Sequence, residues 1–214
     1  MRVNEQGRSM IEMLGVLAIV GVLSVGGIAG YSKAMNKFKT NKVIDQINMI
    51  STNIRTLYSS QRSYKGLNNE VAIQTGLIPG EMYDTGSTDT TKITHAFAGA
   101  VEITPAAVAS GGANSSYVIA IDGVPAASCV SIITTDWGGD AGSGLLGISA
   151  VPGVATGANP AAASAQAKLS AASIEANAST AVPGNANYGL PFSIVNAHSA
   201  CGSNGNAAIA WKFL

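Results

Sequence analysis

Apolar and polar residues fall into three successive patterns along this chain. From Met10 to Ala29 nearly every position is apolar or small, Glu12 is the one charge, and no other charge occurs before Lys33. That run is about as long as the roughly 20 residues needed to cross a bilayer as a helix. A second pattern follows, in which Val43, Ile44, Ile47, Ile50, Ile54, Leu57 and Tyr58 recur at steps of three and four. Asp45, Asn48, Asn53 and Arg55 fall between them, so the stripe is one face of an amphipathic helix with a polar back. Proline is absent before Pro79, so one helix is expected over residues 9–60, roughly 75–80 Å long. Its first half, apolar all round, suits lipid or a helical bundle; its second half suits the inner wall of a globular head.

The third pattern, from Ser63 onward, is broken by turn residues at Gly66, Gly76, Pro79, Gly80 and Gly86. Tyr117, Val118, Ile119, Ala120, Ile121 and Asp122 read as a strand that ends in a turn at Gly123. Residues 129–135 read as a short helix or a strand, residues 138–160 as a Gly/Ala-rich loop, and the Ala-rich residues 161–178 as a surface helix. Residues 191–197 and 207–213 read as closing strands. No internal repeat is found. The expected fold class is α+β: a long N-terminal helix, the handle, packed against an antiparallel sheet that forms the head. The expected divisions are residues 1–7 as a leader, 8–32 as the membrane-spanning or filament-core half of the helix, 33–60 as its amphipathic half, and 61–214 as the head.

Charge sharpens this division. Only 11% of the residues are charged and the net charge is zero, yet residues 1–65 carry +6 and residues 66–214 carry −6. The basic side is mostly Lys33, Lys37, Lys39 and Lys42, either a solvated collar outside the membrane or a collar that meets the acidic head of a neighbour. Nucleic-acid binding is disfavoured, because the basic residues lack aromatic neighbours and the head is acidic. Cys129 and Cys201 are the two cysteines. Free thiols suit a cytosolic protein, but beside an export-type N-terminus one disulfide is the expectation. Its long loop is worth roughly 4 kcal/mol in the chain-entropy account.

Catalytic and ligand-binding signals are weak. Gly142, Gly144 and Gly147 match G-x-G-x-x-G, but no buried strand precedes them and no acidic residue sits at the ribose position. His95 and His198 lack cysteine or carboxylate partners at zinc-ligand spacing. No nucleophile elbow surrounds any serine. Asp136 and Asp140 read as solvated loop carboxylates, and Asn114 and Asn177 head weak glycosylation sequons. No cofactor, metal or catalytic residue is expected. Gly15, Gly21, Gly26, Gly27 and Gly30 punctuate the apolar half-helix, and Gly26 and Gly30 have the spacing that lets membrane helices approach closely.

A leader ending in Gly7, a carboxylate at Glu12 five residues later, a long apolar-to-amphipathic helix and a distal cysteine pair together resemble a type IV prepilin. The segment from Tyr117 to Gly123, then residues 129–134 and 194–201, are similar to the type IVb pilins. The resemblance implies cleavage after Gly7 by a membrane prepilin peptidase and N-methylation of the new first residue, Arg8. It implies that the mature subunit leaves the inner membrane through an assembly platform and joins a helical homo-oligomeric filament, with other minor pilins as further partners. Glu12 then neutralises the terminal amine of an adjacent subunit. Arg8 stands where the family usually has an apolar residue, and its i,i+4 spacing to Glu12 also permits a pair within one helix. The lysine run beyond the membrane segment would, by the positive-inside rule alone, keep the head cytoplasmic. The cysteine pair and the resemblance imply export instead, ending in an extracellular fibre.

The leading expectation is therefore a non-enzymatic pilus subunit serving adhesion, aggregation, motility or DNA uptake. A pseudopilin of a type II secretion system is the same-family alternative. An exported enzyme or ligand-binding protein behind an ordinary signal peptide is the alternative from another class. Glu12 argues against it, since ordinary signal peptides keep an uncharged apolar core.

Overall fold

The computed structural model describes residues 6–61, 63–84, 86, 89, 91–108, 111–138, 144–154, 156–157 and 193–214, with side chains described from Met10 onward. The chain divides into two compact units, residues 1–38 and 39–214. Helix α1 runs from Gln6 to Tyr58. It starts three residues before the expected position, so Gly7 and Arg8 already have helical backbone. Proline is absent between Gln6 and Tyr58, so no missing amide donor or ring clash breaks the helix there.

In the second unit the expected stripe is the inner wall. Val43, Ile47, Ile50 and Ile54 are fully buried, Tyr58 is nearly so, and Ile44 packs at the margin. Leu57 departs from the expectation and is 42% exposed, in the last turn of α1.

The stripe packs on a five-stranded sheet. The strands are β1 (Ile93–Thr94), β2 (Ala100–Val108), β3 (Gly112–Pro125), β4 (Leu145–Pro152) and β5 (Asn206–Phe213). Their spatial order is β1-β2-β3-β5-β4, and every neighbouring pair is antiparallel. Side chains alternate between the faces. Ile103, Tyr117, Ile119, Ile121, Ile209, Trp211 and Phe213 join the main core with α1. Ala106, Val118, Ala120, Ala208 and Ala210 form a second, smaller cluster. Lys212 alternates with Trp211 and is fully buried; its ammonium donates to the Ala107 carbonyl at 2.7 Å.

Three short helices close the core. Helix α2 (Asn69–Gln74) is capped by the Asn68 side chain, which accepts from the Val71 amide at 2.8 Å; a 3-10 turn follows at Gly80–Met82. Helix α3 (Ala126–Ile133) directly follows β3, which settles residues 129–135 largely as helix. Helix α4 (Ile194–Cys201) is capped by the Ser193 side chain, which accepts from the Asn196 amide. Cys129 of α3 and Cys201 of α4 form the expected disulfide, with Cα atoms 5.9 Å apart.

Three expectations are corrected. Residues 194–197 belong to α4 rather than a strand, because the Ser193 cap starts a helix there; Pro191 and Phe192 lie outside the described residues. Residues 145–152 form β4 inside the segment read as loop, paired along β5 from Leu145 to Pro152. The strand read over residues 117–122 extends to Gly112–Pro125, and Gly123, at φ +67°, sits in its irregularity opposite β5 rather than at its end. The helix read over residues 161–178 lies outside the described residues.

Candidate assembly surface

Among the described residues of the first unit, apolar side chains face outward throughout. Met10, Ile11, Leu14, Leu17, Ile19, Val22, Leu23, Val25, Ile28 and Tyr31 are all more than half exposed. The helix contains an 18-residue window with a mean hydropathy of 2.2, long and apolar enough to cross a membrane. Exposed apolar area on this scale is costly in water and marks a surface meant for lipid or for other protein. Glu12 is exposed within it. The side chain of Arg8 lies outside the described residues, and with it the expected pairing of Arg8 with Glu12.

The glycines of this segment add a second observation. A Cβ placed at Gly15, Gly21, Gly26, Gly27 or Gly30 would meet nothing within 4 Å. Each glycine costs a helix about 1 kcal/mol relative to alanine, and no close approach among the described residues accounts for that cost.

The lysine run, which the sequence groups as one collar, is divided by the structure. Lys33 and Lys37 are exposed. Lys42, in contrast, is paired with Glu81 at 2.8 Å. Gln46 donates to the other Glu81 oxygen, also at 2.8 Å. The Lys42 bond first, then the Gln46 bond, hold the Glu81 carboxyl below its ordinary range. Lys39 stands 5.8 Å from the centre of the Phe97 ring, within cation–π reach. An open groove lined by Lys42, Asp45, Gln46, Met49, Pro79 and Glu81 lies beside these contacts.

Deeper in the head, Tyr117 spans the helix–sheet layer. Its hydroxyl donates to the Ser51 carbonyl at 3.2 Å, and its ring stacks on Phe213. Burial pushes its pKa up, and Tyr64 adds to the shift. Sequence reasoning singled out His95 only as a non-ligand and Asp122 only as a strand end. The structure places both at one buried junction. His95 Nε2 lies 2.7 Å from the Asp122 carbonyl oxygen, and Asp122 Oδ1 accepts from the Ala100 amide at 2.6 Å. The available signal was a polar residue at the end of an otherwise apolar strand. Among the described residues no three His, Cys, Asp or Glu side chains are grouped to hold a metal ion. Gly144 of the G-x-G-x-x-G match leads directly into β4; Gly142 and Asp140 lie outside the described residues.

Comparison with known proteins joins these observations. The family described as PilS N terminal matches residues 37–182. The major structural subunit of bundle-forming pilus from Escherichia coli O111:H- is 30% identical over 177 residues, covering 83% of this chain and 87% of the relative. Among solved structures, TcpA, a type IV pilin from Vibrio cholerae El Tor biotype, superposes with a TM-score of 0.51 at 17% identity, covering 82% of this chain and 99% of that one. The type IVb pilin from Salmonella typhi does so with a TM-score of 0.51 at 16% identity, covering 80% and 97%. At those identities the two structures speak for the fold.

Proposed function

Since this chain belongs to the type IVb pilin family, we propose that it works as a structural subunit whose apolar half-helix moves from a membrane into the core of a pilus filament. The observation that carries this reading is the exposed apolar surface from Met10 to Tyr31, interrupted by one carboxylate and by five glycines at which an added Cβ would meet no atom of the described residues within 4 Å. Lipid satisfies such a surface before assembly, and neighbouring copies of the same helix satisfy it afterwards. Close helix approach at Gly26 and Gly30 offsets the helical cost of those residues.

In this reading residues 1–7 are a leader removed by a prepilin peptidase, and Arg8 becomes the N-methylated first residue. Residues 8–32 are the filament-core half of the helix, residues 33–60 its amphipathic half, and residues 61–214 the head. The new terminal amine, with an ordinary pKa near 7.7–8.0, is largely cationic at neutral pH. In the dry core it would be an expensive unpaired charge, and Glu12 of a neighbouring copy offsets it. Taking one partner away strands the other, at about 3–5 kcal/mol. Pairing across subunits therefore sets the axial stagger between helices. The route runs from the inner membrane, through an assembly platform and in company with minor pilins, to an extracellular fibre. There the fibre serves adhesion, aggregation, motility or DNA uptake.

Mass spectrometry of the mature N-terminus tests the reading. A chain beginning at N-methyl-Arg8, recovered from sheared surface fibres, is the expected result. A mature chain beginning near Gly30, as after cleavage of an ordinary signal peptide, would overturn it.

A further inference from the structure

The turn between β1 and β2 is built around a histidine whose two ring nitrogens are both committed to backbone groups. Nε2 of His95 lies 2.7 Å from the carbonyl oxygen of Asp122. Nδ1 accepts from the Phe97 amide at 3.3 Å. A carbonyl oxygen only accepts and an amide N–H only donates, so the roles are fixed: Nε2 carries the proton and Nδ1 carries the lone pair. A second proton on Nδ1 would face the Phe97 N–H head on.

The surroundings leave the ring little room to move. His95 is 4% exposed. Its amide donates to the Gly99 carbonyl at 3.1 Å, and the Ala98 amide donates to the His95 carbonyl at 2.7 Å. Ala98 holds φ at +62°, and a Cβ at Gly99 would collide with the Asp122 carbonyl oxygen and His95 Nε2. The same turn is tied to α1. The Ala96 amide donates to Gln46 Oε1 at 3.2 Å, Gln46 reaches on to Glu81, and Lys39 stands over Phe97.

We propose that His95 is an acid-released latch: a proton taken from solvent onto Nδ1 breaks the Phe97 bond, expels the ring from beside Asp122, and frees the 95–100 turn from α1. Burial disfavours a cationic ring, and the bond to the Asp122 carbonyl favours one. The charged groups on the neighbouring elements are engaged elsewhere: Lys39 of α1 stands over Phe97, Lys42 of α1 pairs with Glu81, Glu81 also accepts from Gln46, and the Asp122 carboxylate of β3 accepts from the Ala100 amide.

The direction of the pH effect follows from linkage. Burial holds the His95 pKa down to about 4, against about 6.5 for a free imidazole. The open turn binds the proton more tightly than the closed one, so the latch is at full strength above the free value and weakens as pH falls from there toward 4. Asp122 acts oppositely. Burial raises its carboxyl pKa, so its contribution is full at acid pH and is lost as pH rises. Glu81, whose carboxyl is held low, also weakens its contacts on acidification, but only as pH falls through the carboxylate range; the weakening that begins near the ordinary imidazole value belongs to His95. The latch needs no assembly partner and stands whether or not the chain forms a filament.

Hydrogen exchange on the full chain in detergent micelles tests this, with rates over residues 95–100 corrected for intrinsic pH dependence. Opening should increase roughly 70-fold between pH 7.5 and 4.5. In His95→Gln the side-chain amide keeps a donor toward Asp122 without a titrating nitrogen, and the increase should vanish. An equal increase in His95→Gln, or no increase in the wild type, would overturn the latch. If His95→Gln does not fold, the ring carbon signals of labelled histidine decide, with exposed His198 as the second signal in the same sample. The His95 signal should titrate well below the ordinary range and in step with exchange. Titration near the ordinary value with unchanged protection of the turn would overturn the proposal.

Discussion

The two halves of α1 share one backbone and one helical period, yet they solve opposite problems. From Val43 to Tyr58 most apolar residues form one row, and Val43, Ile47, Ile50, Ile54 and Tyr58 find a place in the head core. From Met10 to Tyr31 they occupy every side of the helix and none is buried among the described residues. The first arrangement is completed by folding. The second is complete only when something outside the chain covers it. What separates the two halves is the angular spread of apolar residues and the density of glycine, which lowers helical propensity in the first half.

Substitutions along this one helix should separate folding from assembly. The largest effect is expected for Glu12→Ala. In the proposed assembly it leaves a terminal amine without its partner in the filament core, a loss of about 3–5 kcal/mol per contact. Fibre yield should collapse while thermal melting of the head stays at the wild-type value. Normal fibres from this variant would mean that Glu12 serves no intersubunit pair, as an Arg8–Glu12 pair within one helix would imply.

Next comes a matched pair of truncations. Ile50→Ala opens a cavity in a fully buried site and should destabilise the head by about 2–5 kcal/mol, read as a lowered melting midpoint in micelles. Leu17→Ala removes a comparable side chain from a 63% exposed position and should leave that midpoint unchanged. Equal shifts would erase the distinction between the two halves. The smallest effect is expected for Lys42→Ala. Its ion pair with Glu81 is partly exposed, and pairs of that kind contribute about 0–1 kcal/mol. A larger drop in the melting midpoint would show that Gln46, Glu81 and Ala96 act as one unit with Lys42.

The parts of the fold that a single sequence made plain are those with strong periodicity. The α1 stripe, its long apolar precursor and the β-branched run in β3 each follow one rule over many residues. The cysteine pair was legible because its context at the N-terminus implied an oxidising compartment. Strand β4 was hidden because Leu145, Leu146, Gly147, Ile148, Ser149 and Ala150 are all buried, which removes the alternation a half-buried strand shows. Pro105 disguised β2. It is tolerated because β1 pairs only with residues 100–101, so that side of β2 has no ladder at Pro105. Helix α4 had a readable start at Ser193, overlooked because the residues after it also suit a strand.

At the assembly surface, the sequence placed Glu12 and the glycines but treated the lysines as one group. Only tertiary contacts could show that Lys39 and Lys42 face the head's own Phe97 and Glu81. The His95 junction was invisible for a similar reason. Its partners come from residues 97, 99 and 122, and no linear spacing announces a histidine held by backbone atoms.

Strand β5 carries a consequence for the order of events as the chain is made. It lies between β3 and β4, so neither of those strands has its full set of ladder bonds until residue 213 is available. Cys201 precedes β5 by only a few residues, so the covalent clasp also waits for the end of this stretch. Contacts this far apart in sequence form slowly. A head whose sheet cannot be completed before β5 is made should stay open through most of its synthesis, which suits a chain that must be threaded across a membrane before it folds.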